Sequence, residues 1–324
     1  MFLSPVASAL LVATSPQMAV PPPRSDFEDS VPVPEEIEEI VADRDRYERL
    51  TVPVMIAGEG PYRFMVDTGA QATVVTQRVV DDLSLETDGT ATLIAMGSKA
   101  EVELVPLEGV EFANRRFNNL RAPLLLNRHI GADGILGLDS LQDLRVLMDF
   151  EEDRISVADA KELGGSAGFE IVVRARRQLG QMVITDARIN NVRVNVIIDT
   201  GAQRSFGNEL LRKRLMDRNR GFETATDVNG VEVENELQIA RRLMIGGIAL
   251  NGLHVGFADS PIFEALDLED EPAIVLGISD LRAFRRVAID FDERKILFDL
   301  PRNLAAQLLR QSDLFSHRGY NKTD

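Results

Sequence analysis

A seven-residue stretch that occurs twice constrains this chain more than any other feature. Met65-Val66-Asp67-Thr68-Gly69-Ala70-Gln71 returns 132 residues later as Ile197-Ile198-Asp199-Thr200-Gly201-Ala202-Gln203. In each copy an apolar run ends in Asp-Thr-Gly, which predicts an acid at the end of a buried strand, on a turn tight enough to need Gly. Such an acid is costly to bury alone, so the two copies predict two carboxylates that need partners.

The match continues downstream. After the first copy come Gly134-Ile135-Leu136-Gly137-Leu138-Asp139-Ser140-Leu141 and Leu147-Met148-Asp149-Phe150. After the second come Ala273-Ile274-Val275-Leu276-Gly277-Ile278-Ser279-Asp280-Leu281 and Ala288-Ile289-Asp290-Phe291. Order and spacing agree, so the chain reads as a duplicated unit of somewhat over about a hundred residues. Its 324 residues give room for two compact domains with their own cores. A net charge of −16 argues against a nucleic-acid partner and against docking on anionic lipid. The absence of Cys excludes disulfides, thiolate nucleophiles and Cys-ligated metals.

The first twenty residues carry no charge, and Val6 to Ala13 has the apolar character of a secretory signal core. No Lys or Arg precedes it and no small-x-small cleavage site follows, so an export signal and an unstructured N-terminus both stay open. Export would make the protein periplasmic or secreted; otherwise it is cytoplasmic. Pro5 and Pro16 leave a segment far too short to span a membrane. Residues 21–39 are Pro-rich and acidic and read as a solvated linker, with an occluding propeptide as the alternative. A short helix fits 34–47. The expected organisation is a lead segment over 1–45, a first lobe over 46–160, a Gly-rich joint over 161–168, a second lobe over 169–301, and a helix and tail over 302–324.

From Leu50 the pattern is that of strands. Leu50 to Ile56 and Tyr62 to Val66 form a hairpin that delivers Asp67, and Gln181 to Thr185 with Val192 to Ile198, turning at Asn190-Asn191, do the same for Asp199. Two more hairpins are expected, one turning at Gly97-Ser98-Lys99 with Gly first in its turn and one at Asn229-Gly230, read as a two-residue turn. Gly164-Gly165-Ser166-Ala167-Gly168 matches Gly-x-Ser-x-Gly, but a serine nucleophile there needs a buried strand before it, and Ala158-Asp159-Ala160-Lys161-Glu162 is not one. A flexible joint is the better reading. His129, His254 and His317 are scattered without metal-ligand spacing. Asp149 and Asp290 read as structural, and Arg212-Lys213-Arg214 as a solvated helix face.

The two Asp-Thr-Gly-Ala segments, each followed by two apolar residues and a Gly (Ile135-Leu136-Gly137 and Val275-Leu276-Gly277), resemble the retropepsin-like aspartic proteases. The resemblance covers about Arg46 to Pro301. It implies a mainly β fold of two similar acid-protease lobes, barrel-like and related by an internal pseudo-two-fold, with Asp67 and Asp199 facing one another as catalytic residues. It implies support of the pair by Thr68, Gly69, Ala70, Thr200, Gly201 and Ala202, with the two Thr bonding across the dyad. It also makes the hairpin tips at Met96, Gly97, Ser98, Asn229 and Gly230 substrate-binding flaps.

Chemically, two adjacent carboxylates sharing one proton supply base and acid to a single water. The expected activity is endopeptidic hydrolysis of a polypeptide, with no metal or organic cofactor. One chain supplies both acids, so a monomer suffices, although an obligate dimer of paired lobes is the rival arrangement. A non-catalytic peptide-binding module is the rival function. Ala70 and Ala202 stand where pepsin-branch relatives generally have Ser or Thr, whose hydroxyl stabilises the ionised dyad, so an activity optimum less acidic than theirs is expected.

Overall fold

Each acid rides in on a hairpin. Strands Leu50–Ile56 and Glu59–Val66 pair antiparallel across a turn in which Ala57 and Gly58 adopt φ of 53° and 86°. Along Glu59–Val66 the first three residues are exposed, Tyr62 is buried and Arg63 exposed, and burial becomes continuous at Phe64, Met65 and Val66. Continuous burial means both faces are covered there. The second half repeats the plan with Gln181–Ile189 and Val192–Ile198, turning at Asn190 with φ of 54°.

The downstream apolar residues hold the ends of these strands. Gly134–Leu136 lies parallel to Glu59–Val66, with Leu136 opposite Val66, and antiparallel to Val74–Thr76. Ala273–Leu276 lies parallel to Val192–Ile198, with Leu276 opposite Ile198, and antiparallel to Phe206–Gly207. Gly137 and Gly277 follow because nothing larger fits. A Cβ at Gly137 would stand 2.4 Å from the carbonyl carbon of Ala72, and one at Gly277 2.6 Å from that of Arg204.

The structure, a computed structural model, describes residues 9–11, 40–41, 43–44, 50–158, 162–163, 166, 168–215 and 221–301. Among them the fold is mainly β and two-lobed. One large sheet belongs to the first half and another to the second. A third sheet of six strands draws on both halves: Ile171–Arg174, Lys295–Asp299, Arg286–Asp290, Arg145–Asp149, Arg154–Ala158 and Ile40–Val41, in that order. At its centre Arg145 pairs in register with Asp290, and their side chains form a buried ion pair with Nη2 2.6 Å from Oδ2. Asp149 accepts the N–H groups of Glu151 and Glu152, closing the charged turn after its strand. Both acids are structural, as expected. Arg212, on helix Glu209–Leu215, is paired with Glu209 and Glu236.

Three expectations change. Where a helix was expected over 34–47, Ile40–Val41 and Asp43–Arg44 are strands, paired with Arg154–Ala158 and Leu50–Ile56. The open N–H and C=O groups of those strand edges outweigh a weak local helix preference. Asn229-Gly230 does not form the two central residues of its turn. The turn runs from Asp227 to Gly230, closed by the Gly230 N–H on the Asp227 carbonyl at 2.9 Å, with Gly230 at φ 82°. In the first hairpin the N–H of Ala95 bonds the Ser98 carbonyl, so Met96 and Gly97 are central and Gly97 is second, not first.

Ser166 and Gly168 are followed by strand Ile171–Arg174, so the helix that a serine-nucleophile turn requires is not there. The expected export core, linker and C-terminal helix lie outside the described residues, except that Ala9–Leu11 pairs antiparallel with Thr90–Ala95. The joint over 161–168 is described only in part. No helix among the described residues is long and apolar enough to cross a membrane.

Candidate active site

The two Asp loops meet where the halves meet. Asp67 is fully buried and Asp199 is 4% exposed. Each backbone N–H is held by the downstream strand: Asp67 N–H bonds the Leu136 carbonyl at 3.1 Å, and Asp199 N–H the Leu276 carbonyl at 3.2 Å. Each carboxylate is then fixed by its own turn. Asp67 Oδ1 accepts from Gly69 N–H (2.8 Å) and Ala70 N–H (3.1 Å), and Asp199 Oδ1 from Gly201 N–H (2.8 Å) and Ala202 N–H (3.0 Å). Backbone donors aimed at one oxygen fix the carboxylate plane.

The Gly residues also set how closely the two loops approach. A Cβ at Gly69 would lie 2.4 Å from Asp199 Cγ, and one at Gly201 would lie 2.0 Å from Asp67 Oδ2. Each carboxylate therefore rests against the glycine of the opposite loop. The threonines tie this together. Thr68 Oγ1 donates to the Ile198 carbonyl (2.9 Å) and accepts from Thr200 N–H (3.2 Å). Thr200 Oγ1 donates to the Val66 carbonyl (2.7 Å) and accepts from Thr68 N–H (3.1 Å).

Comparison with protein families finds the same duplication. A family model described as "Aspartyl protease" matches residues 52–140 and again residues 185–279, each match containing one Asp-Thr-Gly loop and its downstream Gly. The chain belongs to the aspartyl protease family. A comparison with curated proteins gave no match.

In this member of the family a further ring of polar residues, which sequence reasoning missed, supports the loops. Thr73 donates its N–H and hydroxyl to Asp139 (2.9 and 2.7 Å) and accepts the Gly137 N–H (3.3 Å). Ser205 occupies the matching place, with its hydroxyl donating to Asp280 and accepting the Gly277 N–H at 3.0 Å. Burial pushes the Asp280 carboxyl above the ordinary range, and the Ser205 hydrogen bond opposes that rise. The recurrence of Thr/Ser six residues after each Asp, with an acid just past each downstream Gly, was the available signal. Gln181 had none. It is buried, and its Nε2 donates to the Gly69 carbonyl at 2.6 Å, while Gln71 Nε2 bonds the Leu179 carbonyl at 2.9 Å. The turn before Gln181–Ile189 thus braces the first Asp loop from the second half.

Three of the five residues expected at the hairpin tips, Gly97, Ser98 and Asn229, meet at a residue that was not expected, Asp227. Ser98 Oγ donates to Asp227 Oδ2 (2.6 Å), Asn229 Nδ2 donates to Ser98 Oγ (2.8 Å), and Gly97 N–H points to Asp227 Oδ2 (3.3 Å). Met96 is buried in an apolar cluster that includes Ala202 and Phe206, and Gly230 lies against the His129 ring. Asp227 went unnoticed because Asn229-Gly230 drew the turn one residue too far along the chain.

Proposed function

We propose that the protein is an endopeptidase in which Asp67 and Asp199 act as one dyad within a single chain. The observation that carries this is reciprocal: each carboxylate is oriented by its own turn and lies against the glycine of the other. Like charges so close cannot both ionise cheaply, so the pair holds one proton between them, aspartic proteases being the standard case. Its titration belongs to the pair and not to either residue. The ionised member takes a proton from a water held between the acids as the water oxygen attacks the scissile carbonyl carbon. The protonated member gives its proton to the carbonyl oxygen. Collapse of the tetrahedral species breaks the C–N bond, with a proton passing to the leaving nitrogen.

The threonine bonds, the Gly contacts and the retropepsin-like pattern of the loops support this reading. No second subunit is needed, because both acids come from one chain. Ala70 and Ala202, both buried, bring no hydroxyl to the dyad, which favours an optimum less acidic than that of the pepsin branch. The test is cleavage of a random peptide library by the wild type beside Asp67→Asn and Asp199→Asn. Loss in both variants supports the shared site. Binding of peptides by the wild type without cleavage would favour a peptide-binding module instead.

A further inference from the structure

Each hairpin tip is seated in the opposite half of the molecule. In strand Thr90–Ala95, alternate residues face opposite ways. Leu93 and Ala95 join the first-half cluster around Met65, Ala70 and Ile135, whereas Ile94 and Met96 join the second-half cluster around Ile197, Ala202 and Phe263. The second hairpin reciprocates, since Val228 at its tip is fully buried in the first-half cluster.

One carboxylate joins the two tips. Asp227 is fully buried, and its oxygens divide between the hairpins. Oδ1 accepts the N–H groups of Asn229 (3.0 Å) and Val231 (2.9 Å), which folds its own turn. Oδ2 accepts the Ser98 hydroxyl (2.6 Å) and the Gly97 N–H (3.3 Å) of the other hairpin. Val233 seals the contact, its Cγ2 only 2.0 Å from where a Cβ on Gly97 would be. With the tips so joined, Met96 and Val228 pack in the apolar clusters that hold Ala202 and Ala70 beside the acids, and Asp67 is fully buried and Asp199 4% exposed. An extended peptide cannot reach them until the tips separate.

We infer that Asp227 is a positioning residue that latches the two hairpins over the dyad, so that the free enzyme rests closed and substrate entry begins with release of Ser98 and Gly97 from its Oδ2. The inference rests on the endopeptidase reading for what enters, but not for the latch itself. A binding-competent open form that is a minor species raises the apparent dissociation constant by the inverse of its population. Loosening the latch therefore lowers KM. It also lowers kcat, because the tips must close again for chemistry.

The experiment measures amide hydrogen exchange and steady-state peptide cleavage for wild type, Ser98→Ala and Asp227→Asn. Ser98→Ala removes the two bonds its hydroxyl makes between the hairpins, to Asp227 and from Asn229, and leaves the Gly97 N–H bond and the Asp227 turn intact. In both variants the amides of Gly97 and Ser98 are expected to exchange about tenfold faster or more, while strands of the shared sheet such as Arg286–Asp290 keep wild-type protection. KM and kcat are expected to fall together, each by about three- to tenfold. Unchanged tip exchange in both variants, or an increase spread evenly over the molecule, overturns the latch. Faster tip exchange in a protein whose wild type cleaves no peptide upholds the latch and overturns the endopeptidase reading.

Discussion

A threonine hydroxyl donates once and still accepts, and at Thr68 and Thr200 both capacities are spent across the boundary between the halves. Removing either hydroxyl leaves a buried N–H and a buried C=O without partners, at about 1–3 kcal/mol for each group. Thr68→Ala and Thr200→Ala should each lower the thermal midpoint and cut kcat, whereas Thr68→Ser should retain both, as measured by calorimetry and peptide cleavage. Asp280 gives a pH-dependent companion. Burial raises its pKa in the folded state above its unfolded value, so the folded protein holds this proton more tightly. The associated stability is present below the unfolded pKa and is lost as pH rises through the folded one. As pH rises above the ordinary Asp range the wild type should therefore lose stability relative to Asp280→Asn, seen as a widening gap in thermal midpoint in favour of the variant.

At the scale of elements, the hairpins fit each other through one missing side chain. Gly97 has no need of an unusual φ; it is glycine because Val233 of the other hairpin occupies the place of its Cβ. Gly97→Ala should cost about 1–3 kcal/mol by overpacking. Val233→Ala should restore most of that loss, and a double-mutant cycle on urea midpoints checks the coupling. This fit was not legible beforehand. The existence of the hairpins was, because turn chemistry and two-residue periodicity are local. Their seating in opposite halves depends on residues about 130 positions apart, such as Ser98 and Asp227, and no short pattern marks such a pair. The same limit explains the misread turn: Asn229-Gly230 is a strong local signal, but Asp227 outcompeted it by binding donors from both its own turn and the other hairpin. The two Asp loops were legible down to their glycines, because a buried acid on a tight turn tolerates few sequences and this one is written twice.

For the whole molecule, the duplication gave the lobes but not the sheet that unites them. Asp149 and Asp290 hold equivalent places in the two copies, yet only Asp290 receives the buried Arg145, because the central strands pair antiparallel with those two residues in register. Asp290→Ala leaves a buried guanidinium without that partner and should cost about 3–5 kcal/mol, whereas Arg145→Met with Asp290→Leu should recover most of it by thermal denaturation. That sheet keeps the halves in one mutual orientation, and so keeps Asp67 beside Gly201 and Asp199 beside Gly69. On the proposed reading, both acids of one chain form one centre. Mixing purified Asp67→Asn with Asp199→Asn at nanomolar concentration and assaying peptide cleavage tests this most directly. The expected result is no cleavage by either variant or by their mixture, beside an active wild type; recovery of activity on mixing, or wild-type cleavage by either variant alone, would contradict it.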